Sequence, residues 1–148
     1  MTGIWKTWIT VWGWMMVGAG VLFSLAVFPA MDLLPRFFYE TVDWPNNNTV
    51  VFEPIDFRLS VGLIGAITIG WALMMVGMIR LAFIYGQPVW QVLTNGMLAW
   101  WAIDSAMSVM LGFPINAVSN TLIVGLYLVP VLASGVLKSA SATQSASA

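Results

Sequence analysis

The chain has 148 residues, of which 60% are hydrophobic and only 7% are charged. A soluble domain needs about a quarter charged residues to wet its surface, so this composition excludes an ordinary soluble protein. The net charge is −1 and the five basic residues are scattered, which argues against nucleic-acid binding through a basic patch. We therefore expect the lipid bilayer, and not nucleic acid, to be the main partner.

The chain contains neither cysteine nor histidine. Without cysteine there is no thiol–disulfide chemistry, thiolate metal site or iron–sulfur cluster. Without histidine the usual axial ligand of haem and the commonest transition-metal ligand are also missing. The sequence therefore predicts no cofactor and no metal site.

Four apolar stretches have the length of about 20 residues that a transmembrane helix needs. They cover residues 7–28, 59–79, 89–111 and 117–137. The first stretch is longer than the apolar region of a signal peptide, about 7–15 residues, so we expect it to be retained. The sequence thus predicts an all-α integral membrane four-helix bundle as a single domain over residues 1–138. The Ser/Ala-rich tail at 139–148 is predicted to be disordered.

Local features refine these helices. Pro130 should kink the last one, because a proline in a helix frees the carbonyl four residues earlier, here that of Leu126. The second helix carries the small-residue stripe Gly62, Ala66 and Gly70. Such a stripe lets a neighbouring backbone approach, so we expect it to pack within the bundle, with a homodimer contact as the alternative.

Tryptophans near the helix ends fit the aromatic belts that anchor a protein at the membrane surface. Trp5, Trp8 and Trp12 share one face of the first helix, and Trp90 begins the third. Their pattern predicts side chains that lie in the lipid interface.

The loop between the first two spans contains a short amphipathic segment. Its charged residues Asp32, Arg36 and Glu40 are four apart, and the leucines and phenylalanines between them fall on the other face. This spacing predicts a short interfacial helix near residues 32–40, in the first outer loop.

Orientation follows from the basic residues near the helix ends, which favour the cytoplasmic side. With the N-terminus inside, Lys6, Arg80 and Lys138 are cytoplasmic, and Arg36 and Arg58 are outside. We therefore expect a multi-pass protein of the plasma membrane, the inner membrane in a bacterium, with both termini cytoplasmic.

Asp104 is the one ionisable residue well inside an apolar stretch. A carboxylate there costs at least about 2.5–3.5 kcal/mol, so it should face the helices and not the lipid. It lies about 10 Å along the helix axis from Leu111, in the outer half of the membrane. Ser108 is one turn further out on the same face, and Ser105 flanks the aspartate.

Two other helices bring polar residues to the same outer end. Asn116 and Asn120, also four apart, open the last helix, and Arg58 begins the second. The sequence therefore predicts one outer polar cluster around Asp104, formed by three helices, in which Arg58 is a candidate ion-pair partner.

The same residues have a purely structural interpretation. Asn116 suits a helix N-cap, Arg58 an interfacial anchor, and Asn120 and the serines interhelical hydrogen bonds. Asp104 would then fix helix register. The alternative is that the cluster binds a ligand or proton, which intramembrane carboxylates often do.

Two segments resemble a known family: residues 101–105 (Trp-Ala-Ile-Asp-Ser) and residues 112–121 (Gly-Phe-Pro-Ile-Asn-Ala-Val-Ser-Asn-Thr). They are similar to DoxX-like four-helix proteins of the bacterial inner membrane. The resemblance implies four helices and that membrane, and it brings no catalytic residues with it. Small multidrug-resistance transporters are similar in size, but they keep their essential carboxylate in the first helix, which is uncharged here.

Two functions remain open at this stage. The first is an accessory or structural component of a larger membrane complex. Other membrane subunits, or a second copy of the chain, are the candidate protein partners. The alternative is a small carrier or binding protein for a solute, proton or lipid that uses the cluster around Asp104. An enzyme ranks third, because Asp104 with Ser105 or Ser108 would lack the usual histidine base.

Overall fold

The computed structural model describes residues 1, 3–44 and 54–138. All regular secondary structure in these residues is helical, as predicted. The five α-helices of this part of the chain are α1 (Gly3–Ser24), α2 (Leu33–Val42), α3 (Ile55–Tyr85), α4 (Gln87–Met110) and α5 (Pro114–Ala133). Two short 3-10 turns, Leu25–Val27 and Pro29–Met31, connect α1 to α2. The predicted disordered tail at 139–148 lies outside the described residues.

Three helical segments of the described chain are long and apolar enough to cross a membrane: Gly3–Val27, Ile55–Tyr85 and Pro114–Ala133. They correspond to the first, second and fourth predicted spans. The third predicted span is the 24-residue helix α4, which is long enough but less apolar. The polar residues that cause this difference include Gln91 and Asn95 as well as Asp104 of the candidate site.

Glycine and proline set the limits of the last three helices. Gly86 alone separates α3 from α4, and its φ of 74° is a left-handed conformation that glycine adopts without strain. Pro114 begins α5, because a proline has no N–H to leave unbonded in the first turn. We predicted this helix over 117–137. It begins earlier, at that proline, and ends at Ala133, just before Gly135 turns the backbone with a φ of 67°.

The four long helices pack side by side, each antiparallel to its neighbours. α1 contacts α3, α3 contacts α4, α4 contacts α5, and α5 returns to α1. The short helix α2 lies at the end where α1 and α4 finish and α3 and α5 begin, which we call the α2 end. The other end, where α1 begins and α5 finishes, is the opposite end.

The backbones of α1 and α3 lie very close together at Gly20 and Gly65. A Cβ atom added to Gly65 would overlap the backbone nitrogen of Ser24 and lie 2.7 Å from the carbonyl oxygen of Gly20. The predicted stripe is therefore only partly correct. Gly62 lies near α1, but Gly70 has no neighbour within 4 Å of an added Cβ. Gly65, one position before Ala66, carries the close contact.

Two of the predicted belt tryptophans are buried instead of interfacial. Trp12 is 2% exposed and Trp90 1% exposed. Trp12 packs against Tyr127, with 5.3 Å between ring centroids. Trp12, Tyr127 and Trp90 belong to one core to which α1, α3, α4 and α5 all contribute. The sequence pattern placed these residues near a helix end but could not say which face meets another helix.

Pro130 determines how α1 joins α5. The proline has no N–H for the carbonyl of Leu126, and the indole N–H of Trp8 donates to that oxygen at 3.0 Å. One turn along, the indole of Trp12 donates to the carbonyl of Ile123 at 3.2 Å. The carbonyl that the sequence predicted to be free is therefore satisfied by a neighbouring helix.

We expect Gly65→Ala to destabilise the protein, because its methyl group must separate two backbones. Overpacking of this kind costs about 1–3 kcal/mol. Gly70→Ala is the matched control in the same helix, where the added methyl meets nothing and alanine favours the helix by up to about 1 kcal/mol. Thermal unfolding in mild detergent measures both. Equal effects of the two variants would contradict the proposed α1–α3 contact.

Candidate functional site

The polar residues of α4 and α5 come together near the α2 end. Asp104, Ser105 and Ser108 lie in the last two turns of α4, and Asn116 and Asn120 in the first two turns of α5. Gly112, with a φ of 84°, turns the short connection between the helices. This hairpin places the two asparagines opposite the aspartate and the serines.

Asp104, Ser108 and Asn116 form a mutually hydrogen-bonded group, which we call the Asp104 cluster. The side-chain amide of Asn116 donates to Asp104 Oδ1 at 3.1 Å and to Ser108 Oγ at 2.8 Å. The Ser108 hydroxyl lies 3.2 Å from the same carboxylate oxygen and 2.7 Å from the Asp104 backbone carbonyl. Ser108 is buried and Asp104 is half-buried. Each helix thus satisfies polar groups of the other.

Further polar contacts follow the same two helices. The buried Asn120 amide lies 3.5 Å from Ser105 Oγ, a contact at the limit of hydrogen bonding. The indole of Trp101 donates to Thr121 Oγ1 at 3.0 Å. Ser105 and Asn120 therefore meet each other, while the Asp104 cluster forms beside them.

A last contact lies deep in the core. The hydroxyls of Thr94 and Tyr127 are 3.0 Å apart, and both residues are buried. Gln91 and Asn95 of α4 are exposed, whereas Thr94, Asp104 and Ser108 bond to α5. A helix can carry such residues inside a membrane when they bond to a neighbouring helix and not to lipid.

Asp104 has neutral hydrogen-bond partners. Its Oδ1 accepts from Ser108 and Asn116, whereas no side chain in the described parts of the chain donates to Oδ2. Neither ion pair found in those residues includes Asp104. The carboxylate is therefore held in place through one oxygen, and its second oxygen is available to water or a ligand.

Arg58 is not part of this cluster, and its predicted pairing with Asp104 is wrong. Its guanidinium Nη1 lies 2.6 Å from Asp32 Oδ2 and donates to the Ala26 carbonyl at 3.2 Å. Arg36 reaches the same Asp32 oxygen at 3.1 Å. Asp32 precedes α2, much nearer to the first turn of α3 than Asp104 is, so it is the acid that the arginine meets. The cluster has contributions from two helices instead of three.

Asp32 was predicted to be a charge on an exposed helix face, but it is only 7% exposed. Burial raises the pKa of its carboxyl, and the hydrogen bonds from Arg58 and Arg36 outweigh that effect, so the pKa lies below its ordinary value of 3.8. The sequence signal for this site was the proximity of Asp32, Arg36 and Arg58 around one loop. Its role in the structure is to join α2 to the start of α3.

Within the described residues, no group of three or more Asp or Glu side chains comes close enough to hold a metal ion. The Asp104 cluster offers one carboxylate, one hydroxyl and one amide. These groups can bind a hydroxyl, an amine or a proton through hydrogen bonds.

No family model, curated protein or solved structure matches this chain. The structure itself defines an all-helical protein, in which three of the described helices are long and apolar enough to cross a membrane.

We expect Asp32 and Arg58 to be energetically coupled. Asp32→Ala and Arg58→Ala should each lower the unfolding temperature in detergent by several degrees, because the first removes the acid that both arginines reach and the second leaves Asp32 with Arg36 alone. The double variant should lose less than the sum of the two. A double-mutant cycle measures this coupling.

The matched control is the cycle between Arg58 and Asp104, which should be additive because the two do not bond. Stability at low pH provides a second measurement. Since the pKa of Asp32 is lowered in the folded state, its contribution is complete above pH 3.8 and is lost as pH falls through the folded-state pKa. Asp32→Asn should therefore flatten the loss of stability below about pH 4. Coupling of Arg58 to Asp104 instead would refute this assignment.

Proposed function

We propose that the protein is a small four-span protein of the bacterial inner membrane, in which α4 is the remaining span. At 1.5 Å per residue its 24 residues extend roughly 36 Å, enough for the hydrocarbon core. In the half nearest to the α2 end its outward residues are apolar, for example Ile103, Met107 and Met110, which are 62%, 52% and 86% exposed. In its other half Gln91 and Asn95 are exposed. Thr94, Asp104 and Ser108 bond to α5. The DoxX-like resemblance of residues 101–105 and 112–121 supports the same membrane.

Within that membrane we infer that the protein is an accessory or structural component of a larger complex. The observation that carries this proposal is that Thr94, Asp104 and Ser108 of α4 use their polar side chains for hydrogen bonds to α5. They therefore act to hold helices together. In addition, α3 leaves Ala66, Gly70 and Gly77 exposed, and such small residues allow the backbone of a partner helix to approach.

One observation favours a second candidate, a carrier or binding protein for a solute, proton or lipid. Asp104 is half-buried, has no cationic partner among the described residues, and has one oxygen that no described side chain satisfies. An intramembrane carboxylate in that state is the group that proton and solute carriers use.

For orientation we propose that the opposite end, and with it both termini, is cytoplasmic. Lys6, Arg80 and Lys138 belong to that end. The two arginines of the α2 end, Arg36 and Arg58, both bond to Asp32 and are neutralised in part. The effective basic bias is therefore larger than the count of three residues against two.

We expect the protein to remain in the membrane after alkaline carbonate extraction, because apolar spans are not released by that treatment. A cytoplasmic reporter fused after Ala148 should be active, and a periplasmic one inactive. A periplasmic reporter fused within 45–53, between α2 and α3, should be active. Extraction into the soluble fraction would contradict the membrane proposal, and inverted reporter activities would contradict only the orientation.

Asp104 variants distinguish the two candidate functions. Asp104→Asn keeps an acceptor oxygen for Asn116, so we expect thermal stability in detergent close to that of the wild type. Asp104→Ala removes the acceptor and should cost about 1–3 kcal/mol. If the role is structural, a partner that co-purifies in mild detergent should remain bound to the Asn variant and be lost with the Ala variant.

Glu40→Gln is the matched control, because it neutralises an exposed carboxylate at the same end. It should change neither stability nor co-purification. Isolation of the wild type without any other protein, as a monodisperse homo-oligomer, would refute the accessory role and favour the carrier. In that case Asp104→Asn should abolish solute or proton uptake in proteoliposomes while stability is retained.

A further inference from the structure

A cleft of about 550 Å³ opens at the opposite end, away from the Asp104 cluster. It lies where the start of α1, the α3–α4 connection and the end of α5 meet. Its volume is within the range of about 300–1,000 Å³ that is typical of small-molecule sites. The side chains that determine its chemistry are Lys6, Phe83, Trp90, Val136 and Lys138.

Two cations from distant parts of the sequence converge on this cleft. Lys6 comes from the second turn of α1, and Lys138 follows α5. The Lys6 ammonium lies 5.1 Å from the centre of the Phe83 ring, which holds it against the wall. Neither lysine makes an ion pair within the described residues, and no carboxylate of those residues lines the cleft.

The charges of the surrounding structure have the same sign. Lys6, Arg80 and Lys138 belong to the opposite end, whereas the carboxylates of the described residues lie at the α2 end or in the half of α4 nearest to it. The first residues of α4 also line the cleft, and no side chain caps that helix. Its dipole adds a partial positive charge. The electrostatic potential in the cleft is therefore positive and favours an anionic ligand.

Its walls are apolar below the lysines. Trp90 and Ala82 are both 1% exposed and form the floor, with Phe83 and Val136 beside them. A free anion would make no favourable contact with these apolar side chains. A glycerophospholipid presents a phosphate to the lysines and apolar carbon to the aromatic rings, at the level of the helix ends where head groups lie.

We propose that this cleft binds the phosphate head group of an anionic membrane lipid. The proposal goes beyond the accessory role and rests on the membrane placement alone. Lys6 and Lys138 bind the phosphate oxygens, and Phe83 and Val136, which are half-buried, contact the glycerol and the first methylene groups. The bound lipid thereby connects the start of α1 to the end of α5, which are joined there by no ion pair in the described residues.

The test is native mass spectrometry of the full chain in a non-ionic detergent, titrated with phosphatidylglycerol or with phosphatidylcholine of the same acyl chains. We expect phosphatidylglycerol to bind more tightly. Each lysine near a phosphate contributes about 1 kcal/mol, or roughly fivefold in affinity, so the double variant Lys6→Gln/Lys138→Gln should bind roughly 25-fold more weakly. Arg80→Gln is the matched control, since it removes a cation of the same end that does not line the cleft.

Three results would overturn the proposal: equal affinity for the two lipids, an equal loss in the Arg80 control, or full competition by inorganic phosphate at the same affinity. The last result would assign the cleft to a free anion. Unfolding temperatures without added lipid should be the same for wild type and variants, which excludes loss of fold as the cause. Failure of the membrane placement itself would appear separately, in the carbonate extraction.

Discussion

Hydrogen bonds join α5 to both of its neighbouring helices, and in the proposed membrane a polar group must find its partner within the chain. From one side α5 accepts the indole N–H groups of Trp8 and Trp12 on α1. On the other side its asparagines bond to α4, in the Asp104 cluster and beside it. The contact between α1 and α3 needs no polar group, since Gly20 and Gly65 let the two backbones approach closely. Hydrogen bonds thus join α5 to its two neighbours, whereas α3 packs through glycine and apolar side chains.

Asp32 and Asp104 differ in how the structure stabilises their carboxylates. Asp32 lies outside the long helices, where two arginines reach the same oxygen, and it can remain charged with direct compensation. Asp104 lies within α4 and is held by a serine and an asparagine, which supply hydrogen bonds but no charge. The first arrangement joins α2 to α3. The second joins α4 to α5 and leaves one oxygen for chemistry, which is why Asp104 remains the residue that separates a structural role from a carrier role.

Charge is also separated along the long axis. The α2 end holds most acids, and its arginines are occupied by Asp32. The opposite end has three cations, and its cleft is bordered by two of them. In the proposed membrane placement this separation would orient the chain and bring the cationic cleft among the head groups of one leaflet. Orientation and lipid binding would then have the same electrostatic origin.

The sequence by itself determined which stretches form the long helices, since apolar runs of spanning length are local signals, but it placed the start of α5 at residue 117 instead of at Pro114. It also predicted the free carbonyl of Leu126, because the effect of Pro130 is confined to its own helix. The tertiary structure decided which group donates to that carbonyl. It also decided that Trp12 is buried and that the close contact falls at Gly65 and not at Gly70. Arg58 shows the reason most clearly. Its partner depends on which of two acids the chain brings within about 4 Å, the reach of an ion pair. That distance depends on how the loop before α2 folds back onto α3. The spacing of residues along a single helix does not determine it.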